Sequence, residues 1–408
     1  MKTISFTLII VLQVTIICFP QWYEQNSGTT ETLRDVFFID TNNGIAVGNN
    51  GTILNTTNGG VNWNTQTSGT ANQLNSVHFE DNNIGWIVGE GGTILNTTDG
   101  GTNWNLQASG TTEWLWSVNF IDKNTGWIVG GYQLFATILH TTDGGGTWQS
   151  PTSETIFALV SVYFHDSYTG WAVGGSQIYS TTNGGENWDG KIGVIDGRLQ
   201  SVFFTDINTG WTVGENGAIL KTTNGGTDWN SQTGGTTEWL QAVHFIDKNI
   251  GWAVGYNGTI LNTTDGGTNW KSQTSEITEP LYSLHFINNN TGWTVGGNGT
   301  ILKTTSGGET YIEEKLYEIP DTYILSQNYP NPFNPNTTIR YQIPVAGEVL
   351  LKVHDILGKE VAILIDEYKP AGKYEIKFNG LGLPSGMYFY KFKHGDDYTD
   401  IKKMILLN

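Results

Sequence analysis

Six glutamates pose the first chemical question. Glu90 and Glu215 each follow a Val-Gly pair at one repeated position, and Glu31, Glu113, Glu238 and Glu279 share another, just ahead of a recurring Leu-x-x-Val-x-Phe segment. Two carboxylates opposed across a cleft can serve glycoside hydrolysis; charged loop residues that merely face water form a solvated acidic rim instead. Histidine offers a second chemistry. His78, His244 and His285 occupy one repeat position, whose equivalents are Phe37, Asn119, Tyr163 and Phe203. A position open to Phe, Asn and Tyr reads as a tolerant sheet face and not as a metal-ligand set, so no metal and no cofactor is expected. Arg34 and Arg198 are the only arginines before residue 311, too few to clamp a substrate carboxylate. No Gly-x-Ser-x-Gly elbow, cysteine nucleophile or phosphate-cradling loop occurs.

The elements that must position these residues are repeats. The pentapeptide GWxVG, or its variant GIAVG, begins at Gly44, Gly85, Gly126, Gly170, Gly210, Gly251 and Gly292, at intervals of 40 to 44 residues. Most copies follow a Leu-x-x-Val-x-Phe strand and precede a Thr-Ile-Leu-x-Thr-Thr strand, a tight Gly-Gly turn and usually a Trp. Four short strands per repeat predict an all-β fold, a seven-bladed β-propeller over residues 22–310. The seventh turn, Ser306-Gly307-Gly308, has no Trp after it, whereas Trp22 lies 14 residues before Val36, the offset that separates Trp63 from Val77. The N-terminal strand should therefore complete the last blade, hiding both sheet edges.

Composition agrees. The 408 residues include 53 Gly, 16 Trp and a single Cys, with a net charge of -18. Such a polyanion cannot release counterions from a phosphate backbone, which excludes nucleic acid as a partner. Lys2 followed by the apolar stretch from Ile4 to Phe19 reads as an export signal over residues 1–21, cleaved near residues 18 to 21. A lipid anchor on Cys18 is the competing reading, but the preceding Ile17 is bulky where such a site wants a small residue. Residues 311–323 read as a linker. Beyond it, Pro-punctuated alternating runs predict a small Ig-like β-sandwich over 324–408, and the charge changes from 25 acidic against 8 basic residues in 22–310 to 13 against 11 in 311–408.

Two resemblances follow from these motifs. The turns at Asn58, Asp99, Asp143, Asn183, Asn224 and Asp265 resemble the Asp-box, or BNR, repeat, and the GWxVG and TILxTTDGG pattern is most similar to propellers of the photosystem II assembly-factor type. Amide and carboxylate alternate at the turn position, so its role is structural: an Asx side chain capping backbone N–H groups while the glycines take positive φ. The C-terminal segments, with Tyr329, Pro330, Asn331, Pro332 and Phe333 as the leading motif and Gly358-Lys359, Leu383 to Tyr388 and Lys403-Met404 after it, resemble the type A sorting domain of the type IX secretion system. That resemblance implies a Bacteroidetes-like bacterium, Sec export to the periplasm, recognition by the type IX machinery at the outer membrane, and release or attachment at the cell surface.

In a four-stranded blade the Asp-box turns and the first-to-second-strand turns share one face, leaving the blade-to-blade loops on the other. The second-to-third-strand loops lie there too, and their length varies: the Thr-Thr pair begins 15 positions after the first Gly of GWxVG in blade 3, against 12 in five blades and 11 in blade 4. The longer loop carries Tyr132 and Phe135, and neighbouring entry loops bring Trp114 and Phe157, with Trp239 further round; these five are the candidate ligand contacts. The sequence thus supports a recognition or scaffold propeller, monomeric, for an unidentified protein or glycan. The alternative is a secreted carbohydrate-active hydrolase using the paired carboxylates. Assembly of a photosynthetic complex, suggested by the repeat family, sits poorly with a sorting domain.

Overall fold

The computed structural model describes residues 14–19, 21–132, 135–150, 157–192, 195–308, 311–316 and 320–407, with backbone alone for 14–19, 135, 192 and 311–316. The chain divides into two compact units, Phe19–Tyr311 and one built on Ile312–Asn408. Val14–Phe19, within the expected export signal, pairs with Tyr311–Leu316, within the expected linker. Among the described residues no helix is long and apolar enough to cross a membrane.

Among the described residues the first unit holds seven antiparallel sheets, one per repeat, in which strands adjacent in the repeat are neighbours in the sheet. Blade 2 is representative, with strands Leu74–Phe79, Gly85–Gly89, Ile94–Thr97 and Asn105–Gln107. Its second strand is buried along its whole length, because neighbouring sheets cover both its faces. The packing explains the repeat. In blade 3 the inner-strand Phe120 stacks flat on Trp86 of the preceding blade at 3.5 Å and meets Trp148, after its own Gly-Gly turn, edge-on at 6.0 Å. The stack needs a bare second strand, since a Cβ at Gly126 would lie 2.5 Å from the Phe120 ring. Each second-strand Trp also donates its Nε1 proton to a carbonyl in the next blade's turn: Trp86 to Gly144, Trp127 to Gly184, Trp171 to Gly225, Trp211 to Gly266 and Trp252 to Gly307. A flat indole and a backbone bond thus join each of these blades to its neighbour.

The last sheet, Leu281–Phe286, Gly292–Gly296 and Ile301–Thr304, takes its fourth strand from Tyr23–Glu24, with Tyr23 opposite Lys303 and Glu24 opposite Leu302. Trp22 fills the place of the missing turn Trp: it is 3% exposed, stands edge-on to Phe286 at 5.7 Å and donates to Gln273 Oε1 at 2.9 Å. Trp293 of blade 7 stacks on Phe38 of blade 1 at 3.4 Å and donates to Gly59 O. Closer to the axis, Ser76, Ser117, Ser161 and Ser201 accept a backbone N–H from the following blade. Blade 1 carries Asp35 there, which accepts from Val77 N at 2.8 Å and from Ser283 Oγ at 2.6 Å. Burial pushes the Asp35 carboxyl above its usual range, opposed by these hydrogen bonds.

Blade 3 departs from expectation. Gly126–Tyr132 pairs with Phe135–Thr141 as far as Tyr132 opposite Phe135, so the extra residues lengthen two strands into a hairpin instead of forming a loop. An insertion that preserves the pleat can extend the ladder and satisfy its backbone groups, which a free loop cannot.

The second unit is a sandwich. One sheet holds Ile324–Leu325, Asn336–Ile343 and Gly372–Asn379; the other runs Glu360–Lys369, Gly347–His354, Gly386–His394 and Tyr398–Leu406. Ile339, Tyr341, Leu351, Val353, Tyr390 and Phe392 lie in its core. The leading motif clamps the last strand: Phe333 is buried, its N–H donates to Ile405 O and its carbonyl accepts from Leu407 N, while Asn331 Oδ1 accepts from Ile405 N. Pro330 O accepts from Asn328 Nδ2 and Thr337 Oγ1. Tyr329, 81% exposed, takes no part in the core.

Candidate recognition face of the propeller

The turns at the Asp-box positions are built from their own residues. Thr97 Oγ1 donates to Asp99 Oδ1 at 2.9 Å and accepts from Gly101 N, and Asp99 Oδ1 also accepts from Asn103 N. Asp143 and Asp265 repeat the bond to the residue four further on. Asn58, Asn183 and Asn224 make the same bond with an amide oxygen. The side-chain and backbone bonds of Asn103 hold the Asp99 carboxyl below the usual range. These carboxylates are occupied as caps.

Three of the six repeated glutamates on the opposite face accept close hydrogen bonds. Glu215 Oε2 accepts from Arg198 N at 2.9 Å, Glu31 Oε2 accepts from Asn50 Nδ2, and Glu279 Oε2 accepts from Thr278 N. They fasten the entry and second-to-third-strand connections.

The aromatic candidates fall into separate groups. Trp114 is half-buried and lies 5.0 Å from Trp116, whose Nε1 donates to Gly131 O. Tyr132 is 58% exposed, Phe157 is half-buried, and the side chain of Phe135 lies outside the described residues. Trp239 belongs to a longer assembly in blades 6, 7 and 1: its ring is 5.3 Å from Tyr256, Tyr256 is 6.4 Å from Tyr282, and the Arg34 guanidinium sits 4.7 Å above Tyr282. Arg34 also reaches Asn49 Oδ1 at 3.2 Å, and Trp239 Nε1 is buried with no hydrogen-bond partner. Arg34, Trp116, Tyr256 and Tyr282 were not singled out by loop length. Arg34, Trp116 and Tyr282 share one repeat position, the residue after the inner-strand Leu, where a register shift interrupts the ladder. A bulged residue escapes the alternation that buries its neighbours.

The histidine position does not lie on an outer sheet face. Phe37, His78, Tyr163, Phe203, His244 and His285 meet around the axis: Tyr163 to Phe203 at 5.3 Å, Phe203 to His244 at 4.8 Å, His244 to His285 at 5.1 Å, His285 to Phe37 at 4.6 Å and Phe37 to His78 at 5.4 Å. Asn119 fills the gap and accepts from Phe164 N. Burial pushes His78 and His244 down to about 4, and burial aided by its two histidine neighbours depresses His285. Among the described residues no cluster of three His, Cys, Asp or Glu groups could hold a metal ion.

Fold and turns together define an all-β propeller of the Asp-box type followed by a small β-sandwich. The family model described as photosynthesis system II assembly factor YCF48 matches residues 15–109, 104–192 and 229–321, and the chain belongs to that family. A second family model, a secretion system C-terminal sorting domain, matches residues 327–407, which marks the protein as exported, to the outer cell surface or beyond it. No match emerges among curated proteins. Solved structures similar to this chain include YCF48 bound to D1 peptide, 24% identical with a TM-score of 0.61 over 72% of this chain and 97% of that one. Another is YCF48 from Cyanidioschyzon merolae, 22% identical with a TM-score of 0.59 over 69% and 98%. The WD40 propeller domain of Doa1, 13% identical, has a TM-score of 0.56 over 69% and 96%.

Proposed function

We propose that this propeller is a recognition module that captures an extended protein segment on the face opposite the Asp-box turns. The observation that carries the reading is the run Trp239–Tyr256–Tyr282–Arg34, which crosses three blades. Rigid aromatics with one guanidinium are the side chains on which binding energy concentrates. The similar YCF48 structure holds a peptide, which makes a polypeptide the first ligand class to try here, with a glycan as the other outcome. Glu31, Glu215 and Glu279 already fasten loops, which favours binding over the alternative of a carbohydrate-active hydrolase. In a screen of the full chain against peptide and glycan arrays, Trp239→Ala is expected to weaken capture by about 2 kcal/mol, roughly thirtyfold. Tyr132→Ser on blade 3 should leave it unchanged. Capture that survives Trp239→Ala and fails with Tyr132→Ser would move the site to blades 3 and 4.

Export is proposed to run through the periplasm after removal of residues 1–21, with residues 324–408 recognised at the outer membrane and residues 311–323 as the connector. A chain ending at residue 323 should fold and stay in the periplasm of the native host. Its efficient delivery to the surface would sink this route.

A further inference from the structure

On the Asp-box face, away from the site above, a cavity of about 500 Å³ opens between blades 4, 5 and 6. That is the size of a small-ligand site. Tyr163, Phe203 and Ile246 supply apolar lining, and Asp206, Asp247 and Lys248 supply its charges. The rings of Tyr163 and Phe203 lie 5.3 Å apart. Beyond Phe203, at 4.8 Å, His244 keeps Nδ1 buried without a hydrogen-bond partner. The two aspartates cap their own turns through Oδ1, which takes Asn208 N and Thr209 N in one case and Asn249 N and Ile250 N in the other. The cavity therefore carries two carboxylates against one ammonium, in a unit with 25 acidic and 8 basic residues. Aromatic faces beside uncompensated negative charge attract cations, and the apolar lining favours one carried on a hydrocarbon stem.

We infer that this cavity binds a primary alkylammonium group, with the stem against Tyr163, Phe203 and Ile246 and the charge toward Asp206 and Asp247. Such a group comes either from a free diamine or from a lysine of a protein segment.

The test is calorimetric titration of the full chain at pH 7.5 and low salt. Cadaverine, tetralysine and uncharged 1-pentanol are the probes. Asn288 makes the same turn bonds with an amide oxygen, to Asn290 N and Thr291 N, so the pair Asp206→Asn and Asp247→Asn removes charge while keeping both turns. That double variant should bind both amines about tenfold more weakly, and Lys248→Gln a few-fold more tightly. Tetralysine binding at least tenfold tighter than cadaverine assigns the site to a protein lysine; equal binding per ammonium assigns it to a free amine. The inference falls if pentanol binds as well as cadaverine, or if the double variant, shown folded by its melting temperature, binds both amines unchanged.

Discussion

Deleting residues 22 to 30 is expected to lower propeller stability by about 3–5 kcal/mol and its melting temperature by on the order of 10 °C. Trp22 is buried against Phe286 and bonded to Gln273, and its loss leaves a gap the size of an indole. Removing Tyr23 and Glu24 also bares the backbone of Ile301–Thr304, an open edge that can pair with another chain. Gln25 goes too, with its bonds to Ile301 O and Gly59 O. Thermal melts and light scattering of the truncated and full chains read both effects. A truncated chain that melts with the full one and stays monomeric would show that the last blade does not depend on the N-terminal strand.

Acid should destabilise the propeller between about pH 6.5 and 5. His78 and His244 titrate near 4 in the folded chain and near 6.5 when unfolded, so below 6.5 the unfolded chain binds more protons and stability falls as pH falls. Each contributes on the order of 2–3 kcal/mol across the full interval down to pH 4. Exposed turn carboxylates such as Asp81 and Asp99, held low by hydrogen bonds from Asn83 and Asn103, lose their contribution only at lower pH. Asp35, raised by burial, acts in the opposite sense, its contribution lost as pH rises through its folded value. The difference between the parent chain and a variant lacking one imidazole therefore isolates that imidazole. Phe37 and Phe203 occupy the equivalent places in blades 1 and 5, so His244→Phe should fold normally at pH 7 and flatten the slope of melting temperature against pH. An unchanged slope would place the acid sensitivity elsewhere.

The fold was legible because its packing unit repeats. Gly126, Phe120 and Trp148 recur at fixed offsets since each answers the shape of the others, and the same offset located Trp22 in a different part of the chain. The recognition face was less so. Loop length drew attention to Tyr132 and Phe135, where the added residues continue a ladder. Tyr256 and Tyr282 sit at repeat positions whose identity is free to vary, and no spacing announces them; only the ring geometry joins them to Trp239 and Arg34. The histidines misled for a related reason. Alternation says which residues leave the core side of a strand, but it does not say that the inner strands of different blades turn those side chains toward one another.

One blade breaks the pattern at its second strand, where GIAVG places Ile45 in the position of the tryptophan. Phe79 of blade 2 therefore packs on an aliphatic side chain in place of an indole, and Ile45 has no ring proton to give the blade 2 turn. The omission does not fall where the polypeptide is interrupted. The interruption lies within blade 7, between Ile301–Thr304 and Tyr23–Glu24, and there Trp293 supplies both the stack on Phe38 and the bond to Gly59. Between blades 1 and 2, as between blades 7 and 1, the chain itself passes from one sheet to the next, holding them at high effective concentration, and Asp35 adds its bond to Val77 N. The aliphatic joint thus follows a blade made from one unbroken run of chain, and the full aromatic joint is kept after the blade assembled from two distant segments.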